Sequence, residues 1–438
     1  MAKPSSPAAG DAGARIRMYR VGFGDFFLLS VPATGGGMAH VLVDCGVHAH
    51  DLGVMDEAVA QLKTDTGGQL ALVIMTHRHA DHISGFGSAR EIFETFQVER
   101  VWMSWFEDRE DVKAMKIQAG IAATAQHLQA ALAARAAPGD EQFGHMAENA
   151  LGVARKGGNA VALEMLHSFK TPAGGPTPVS YYAAGETPIL PPSLASAGLE
   201  AEILGPPRDL ALVAQMDNAA HQYLAFDDNG EEESGSRAPF SKAYQVDVFE
   251  WENPLFPLAQ IRKNIEDWQP DMLAAAAQRA DNALNNQSLV VLFTLRGKTM
   301  LFSGDAQWGN WANFLFGGPI GTPGHTELTE KSRTILAKLD FYKVGHHGST
   351  NATPIDVVEA MKQGCVAMCA TDPGAYGKEA RGTEVPRIPL MAALVEKTQN
   401  KLARSDQVPV AGKPPSAGAA PLAAPFKAGP DGCIDYWL

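Results

Sequence analysis

The apolar positions of this chain come mostly in short unbroken runs that stop abruptly at polar residues. Leu70-Ala71-Leu72-Val73-Ile74-Met75 is the clearest of them and predicts a short buried strand, ended by the polar stretch Thr76–His82. Residues 15–32 predict a strand, a tight bend at Gly22 and Gly24, and a second strand, with Asp25 at the exit of the bend. His40–Gly46 predicts another buried strand that ends at Asp44. A helix is expected over Ser88–Phe96, then a strand over Val98–Trp105. The order strand, strand, strand, helix, strand is that of a layered α/β domain.

The pattern changes over residues 107–172. Ile117, Ile121, Thr124, Leu128 and Leu132 recur at helical spacing, Pro138-Gly139 breaks the helix, and a second follows through Leu151, Val153, Val161 and Leu166. This reads as a helical insertion whose apolar positions pack on the core. Residues 173–199 read as loop, Leu199–Leu204 as a strand, residues 227–235 as a solvated acidic loop, and residues 255–285 as helical around Leu258, Ile261, Ile265, Trp268 and Met272. Leu289–Thr294 and Lys298–Phe302 predict a hairpin around Arg296-Gly297. A helix near Ser332–Leu339 and strands at Phe341–Val344 and Val366–Ala370 follow. Residues 404–431 are rich in Pro, Ala and Gly, and the apolar end Ile434–Leu438 is expected to dock back on the domain. The organisation expected is a leader over 1–14, one large domain over 15–403 with insertions at about 107–172 and 208–284, and a tail over 404–438.

Bulk properties narrow the function classes. With 45% hydrophobic and 19% charged residues the chain is an ordinary globular protein, and no window reaches the roughly 18 uninterrupted apolar residues that cross a bilayer. No membrane association is expected. The first 17 residues lack the apolar core of a signal peptide, and Cys45, Cys365, Cys369 and Cys433 form no paired zinc-ligand pattern; reduced thiols and a cytoplasmic location are expected. A net charge of −13 argues against a general nucleic-acid binder, since only a local basic groove or metal-mediated phosphate contacts would offset the repulsion.

The chemistry sits at the strand ends. His77, His79, Asp81 and His82 fall within six positions, in a chain with only 13 histidines. In an extended turn His77 and His79 share a face, whereas Asp81 and His82 come as the chain enters the next element and face a second point nearby. That spacing suits two adjacent metal ions. Asp305 closes a buried strand beside Gly304, where a carboxylate has an oxygen for each of two ions. Gly345-His346-His347-Gly348-Ser349 follows the strand at 341–344. Asp44 reads equally as a turn cap and as an acceptor that orients a ligand from behind. His48 and His50 read as rim residues, and His127, His145 and His167 as core or surface histidines.

Together these residues resemble the metallo-β-lactamase fold superfamily: His77-x-His79-x-Asp81-His82 matches its signature motif, Asp44 its early strand-end aspartate, and Asp305 its bridging aspartate. The likeness is greatest to the ComEC-like branch, through VGFGD at 21–25, LVDCG at 42–46, NNQSLVV at 285–291, LFSGDA at 301–306 and YKVGHHGS at 342–349. The resemblance implies an α/β fold, a four-layer αββα sandwich with a helical insertion, and a site for two divalent ions, zinc or manganese, with iron also suited to the ligands. His77 and His79 would hold the first ion, Asp81 and His82 the second, Asp305 would bridge, and His346 or its neighbour His347 would complete the second. Two departures stand out. The stretch Ile203–Asp209 supplies no third histidine for the first ion, and Glu384-Val385-Pro386-Arg387 stands where a His-Pro pair is common.

The function expected is metal-assisted hydrolysis, preferably of a phosphodiester and with nucleic acid among the candidate substrates. Asp81 would orient the attacking water, while His347, Ser349 or Lys343 would assist the leaving oxygen. Hydrolysis of carboxylic esters, lactones or lactams is the alternative chemistry. A partner-gated or non-catalytic module, with a protein partner on the helical insertion, is the alternative class. The pattern leaves the oligomeric state open.

Overall fold

In the computed structural model, which describes residues 13–120, 158–223, 283–379 and 382–438, the apolar runs become the strands of two sheets. The first sheet contains β1 (Arg15–Tyr19), β2 (Phe26–Pro32), β3 (Met38–Cys45), β4 (Gln69–Met75), β5 (Gln97–Ser104) and β6 (Val179–Tyr182). The second contains β7 (Leu199–Gly205), β8 (Val290–Leu295), β9 (Lys298–Phe302), β10 (Phe341–Lys343), β11 (Val366–Cys369) and β12 (Leu402–Arg404). The chain then returns to the first sheet with β13 (Lys427–Ala428) and β14 (Cys433–Trp437), so that the strand orders are β13-β14-β1-β2-β3-β4-β5-β6 and β12-β11-β10-β9-β8-β7.

Both sheets are built on one plan. Antiparallel pairs lead, β14 to β3 in the first sheet and β7 to β9 in the second, and a parallel run follows, β3 to β6 and β9 to β12. A parallel strand must be reached by a crossover, and the crossovers here carry helices over the outer faces. Met55–Thr66, Ala80–Ser88 and Gly158–Ser168 cover the first sheet; Trp308–Phe316, Glu330–Lys338 and Ile388–Thr398 cover the second. The inner faces meet in a shared apolar core that includes Ile16, Phe27, Leu29, Val41, Leu72 and Ile74 on one side and Ile203, Phe293, Met300, Phe302 and Met368 on the other. Phe27 meets Phe302 edge to face at 6.4 Å, and the Trp102 and Phe293 rings stack at 6.4 Å. Each such ring buried between the sheets contributes about 1.5–3 kcal/mol. The result is a four-layer αββα sandwich.

The chain differs from its sequence reading at several points. The stretch 173–199 is not all loop, because it holds β6 and a short helix at Pro192–Ser196. β6 has four residues and pairs only with β5, too short to show a period. The helix expected over Ser88–Phe96 is only a single turn at Arg90–Phe93, and a separate helix that the pattern did not show, Ala80–Ser88, precedes it inside the histidine motif. Gly85 and Gly87 disguise this earlier helix, and Gly85 has a packing reason: a Cβ there would lie 2.5 Å from Cys45 Sγ. Residues 433–437 return to the domain as a strand paired along the whole of β1. Arg17 Nε and Nη2 each donate to Asp435 at 2.7 Å, and Arg20 Nη1 donates to the carbonyls of Val408 (2.5 Å) and Pro414 (2.8 Å). Residues 112–120 and Gly158–Ser168 are helical. The rest of the first helical stretch, with His127 and His145, lies outside the described residues, as do the acidic loop at 227–235 and nearly all of the helix expected over 255–285. Among the described residues no helix is long and apolar enough to cross a membrane.

Candidate metal centre

The carboxyl ends of β3, β4, β9 and β10 converge on one edge of the sandwich, and the expected chemistry lies there. β4 runs out at Met75, and the chain stays extended through His79 before the helix starts at Ala80. This leaves His77 and His79 on the approach and Asp81 and His82 in the first helical turn. β3 must come very close for that. A Cβ on Gly46 would lie 2.5 Å from the Ala80 carbonyl oxygen, the Asp81 carbonyl carbon and the His82 nitrogen, so only glycine fits.

Hydrogen bonds from behind set the rings. The Thr76 hydroxyl donates to Asp44 Oδ2 at 2.6 Å and the Thr76 N–H to Asp44 Oδ1 at 2.8 Å. Having given its proton to Asp44, the Thr76 oxygen accepts from His77 Nδ1 at 3.2 Å. The lone pair of His77 is then on Nε2, which faces His79 Nδ1 at 3.0 Å. Asp44 Oδ2 also accepts from His82 Nδ1 at 2.8 Å. Asp44 is thus, through its side chain, an acceptor for residues beyond the end of β4, 32 and 38 positions away, and caps no turn of its own. Its backbone adopts φ 54°, a strained conformation for a residue with a side chain.

His82 Nε2 points to Asp305 Oδ2 at 3.1 Å, and His347 Nε2 to Asp81 Oδ2 at 3.0 Å and Asp305 Oδ2 at 3.6 Å. One ligand atom each from Asp81, His82, Asp305 and His347 lies within 4.8 Å of all the others. Donors around a tetrahedral ion stand about 3.4 Å apart at the usual bond lengths near 2.1 Å, so this set fits a divalent ion. The charge balance fits too. Burial alone would push the His82 imidazolium down, but Asp305, Asp44 and Asp25 outweigh it and hold it well above its ordinary value. Burial likewise opposes the charged form of His347, and Asp305 with Asp81 raises it. Burial would raise the Asp81 carboxyl, yet its bond to His347 and the charge of His82 bring it below the usual carboxylate range. The carboxylates here call for positive charge, which protons on the rings or a divalent ion equally supply. His77 is the opposite case: burial, then His82 and His79, lower it well below its ordinary value and keep a neutral ring suited to ligation.

Of the two neighbouring histidines, the geometry brings His347 into this group. Its Nδ1–H donates to the Ala370 carbonyl at 2.9 Å, which aims Nε2 at Asp81. His346 faces elsewhere, with Nδ1 3.0 Å from Asn351 Oδ1 and 2.8 Å from Ser349 Oγ, and Nε2 3.4 Å from Asn285 Nδ2; its backbone N–H donates to Asp305 Oδ1 at 3.0 Å. Ser349 therefore touches His346 and not the four-residue group. The two rings diverge because His346 (φ 43°), His347 (φ 51°) and Gly348 (φ 79°) are successive left-handed residues. His48 Nδ1 lies 2.8 Å from the Tyr376 hydroxyl and the exposed His50 ring 3.0 Å from Asp372, both at the rim.

Three contributors were not singled out from the sequence. Asp25, read as the exit of a bend, is buried beside His82 and His347. Ser288 Oγ accepts from the Asp305 N–H at 3.0 Å and lies 3.3 Å from His77 Nδ1, tying the two sheets together behind the site. Arg78, between the motif histidines, is clamped by Glu107, with Nε donating to Oε1 at 2.8 Å. For Asp25 and Ser288 the available signal was their place in the glycine-rich VGFGD and the NNQS segments.

No family model matches the chain, and no curated protein does. Among solved structures it is similar to a beta-lactamase domain protein from Burkholderia ambifaria, with 18% identity over 46% of this chain and 51% of that one and a TM-score of 0.23. The chain thus spans about half the length of the structure it matches.

Proposed function

We propose that this protein is a metal-dependent hydrolase that cleaves phosphodiesters with two divalent ions, zinc or manganese. The observation that carries the reading is the convergence of Asp81, His82, Asp305 and His347, buried or nearly so, at the carboxyl edge of both sheets. His77 and His79 would hold one ion, and Asp81, His82 and His347 the other, with Asp305 between them. Bound there, divalent ions acidify a water and offset the charge that grows on the attacked phosphorus. The chain's own part is orientation. Asp44 holds His82, the Ala370 carbonyl holds His347, Thr76 and Ser288 hold His77, and Asp81 is placed to direct the water. The choice of phosphodiesters over esters, lactones or lactams rests on the ComEC-like resemblance of the strand-end motifs.

The test is metal content and turnover together. Protein loaded with manganese or zinc is expected to carry about two ions per chain and to cleave bis(4-nitrophenyl) phosphate in preference to nitrophenyl esters. Asp81→Ala is expected to lose that cleavage and remain folded. Retained cleavage in Asp81→Ala would refute the mechanism, and a preference for esters would move the substrate class.

A further inference from the structure

Behind the four-residue group lies a second set of close donors, Asp25, Asp44 and His82, again with ligand atoms within 4.8 Å of one another. By composition it resembles another ion site. Its donors are already engaged, however: His82 Nδ1–H is given to Asp44, and the Lys343 ammonium is paired with Asp25. Lys343 is 2% exposed and Asp25 1% exposed, an ion pair fully inside the protein. Lys343 Nζ also donates to the Gly304 carbonyl at 3.2 Å and stands 3.7 Å from Asp305 Oδ1. Asp25 in turn reaches both histidines of the neighbouring group, with Oδ2 3.6 Å from His82 Nδ1 and Oδ1 3.6 Å from His347 Nδ1. Its own backbone N–H donates to the Asp81 carbonyl at 2.8 Å.

One buried pair therefore reaches every residue of the Asp81–His82–Asp305–His347 group, and at His82 and His347 it does so at Nδ1, the ring nitrogen turned away from the other ligand atoms. Burying an isolated charge costs several kcal/mol and burying a pair still costs desolvation, so a buried Lys–Asp pair is weak as a stabiliser. It is well suited to fixing where other charges sit. Lys343 lies at the end of β10, immediately before Val344-Gly345-His346-His347, and Asp25 immediately precedes β2; the pair locks the second sheet's ligand strand to the first.

We propose that Asp25 and Lys343 form a positioning pair in which Lys343 serves as a built-in cation, holding His82, His347 and Asp305 in ligand geometry and filling what would otherwise be an additional ion site. The proposal rests on the metal reading above. It predicts a role in metal affinity and coordination geometry, with no contact to substrate.

The test uses the full chain loaded with Mn²⁺ for affinity and with Co²⁺ for its visible absorption. Single variants leave a buried charge unpaired, so the Asp25→Asn/Lys343→Met double variant, neutral at both positions, is the informative one. It is expected to keep a wild-type melting transition without metal, to bind Mn²⁺ about 10–100-fold more weakly, as loss of an orienting partner does, and to show a changed Co²⁺ spectrum. A pair with a merely structural role would leave the spectrum alone. Wild-type affinity and an unchanged Co²⁺ spectrum in the double variant would overturn the proposal and leave the hydrolase reading standing. No metal uptake by the folded wild-type chain would overturn both. Should the double variant not fold, Asp25→Glu decides on the same spectrum, because it keeps both charges and moves the pair by one methylene: a shift supports the pair and an unchanged spectrum refutes it.

Discussion

The two sheets bring candidate ligands to the same edge by opposite backbone means. In the first, the chain leaves β4 extended and then enters a helix, so the candidate ligands at 77, 79, 81 and 82 follow ordinary strand and helix periodicity. In the second, the chain leaves β10 and turns through three left-handed residues, two of them histidines, which throws adjacent side chains apart. The first arrangement is unstrained and spread along the chain; the second is compact and strained, held by the Ala370 carbonyl, Asp81 and the Asp25–Lys343 pair. Strain of this kind persists where surrounding contacts over-determine the conformation. The first loop is therefore expected to tolerate neighbouring substitutions better than the second.

The largest effect should come from the residue shared by both halves. Asp305→Ala removes the carboxylate that both His82 and His347 face. It is expected to abolish metal retention and to lower turnover by at least the roughly 10²–10³-fold that loss of one charge-stabilising group costs. Metal analysis after gel filtration, with turnover on bis(4-nitrophenyl) phosphate, checks it. Turnover within tenfold of wild type would mean that the sheets do not share a site.

The adjacent histidines come next. His347→Ala is expected to weaken Mn²⁺ binding by more than about 100-fold, beyond what outer partners of a ligand cost, while His346→Ala stays near or below about tenfold. The His346 backbone bond to Asp305 survives truncation of its side chain. Isothermal titration of both variants ranks them, and equal losses would show that the left-handed turn does not separate their roles.

This pair also marks where sequence reading ends. The spacing of His77, His79, Asp81 and His82 could be read because it follows from local periodicity, and Asp305 because it ends an apolar run beside a glycine. Whether His346 or His347 faces the group depends on φ values that no side-chain pattern encodes. The part played by Asp25 was hidden for another reason: the charged partners of its side chain are 57 or more residues away, at His82, Lys343 and His347. The sandwich itself was legible from its short buried runs. β6 was missed because a four-residue edge strand has no period to show, and the helix Ala80–Ser88 because two glycines hid it.

A smaller effect tests how tightly the first loop is built. Gly46→Ala places a methyl 2.5 Å from the backbone of Ala80–His82, where backbone must move. Overpacking of this kind costs about 1–3 kcal/mol. The urea midpoint should fall accordingly, and Mn²⁺ affinity should drop with it because the same shift displaces Asp81 and His82. An unchanged midpoint would show that β3 and the motif helix separate freely.

The smallest effect sharpens the comparison under acid, where the clustered His and Asp groups of both sheets titrate together and confuse any pH profile. His40 lies on β3, away from that group, with Nδ1 2.9 Å from Ser30 Oγ. Burial, aided by Arg15, lowers its pKa from 6.5 to about 4. The folded ring stays neutral while the unfolded ring takes a proton, so its contribution is complete above pH 6.5 and is lost as the pH falls toward 4. A shift of this size corresponds to at most about 3 kcal/mol. Comparing urea midpoints of wild type and His40→Gln at pH 7 and pH 4.5, both without added metal, isolates it: the wild type should lose more stability than the variant. Parallel losses would place the acid sensitivity of the first sheet in its ligand loop, and the two halves of the site would then respond to acid through the same groups.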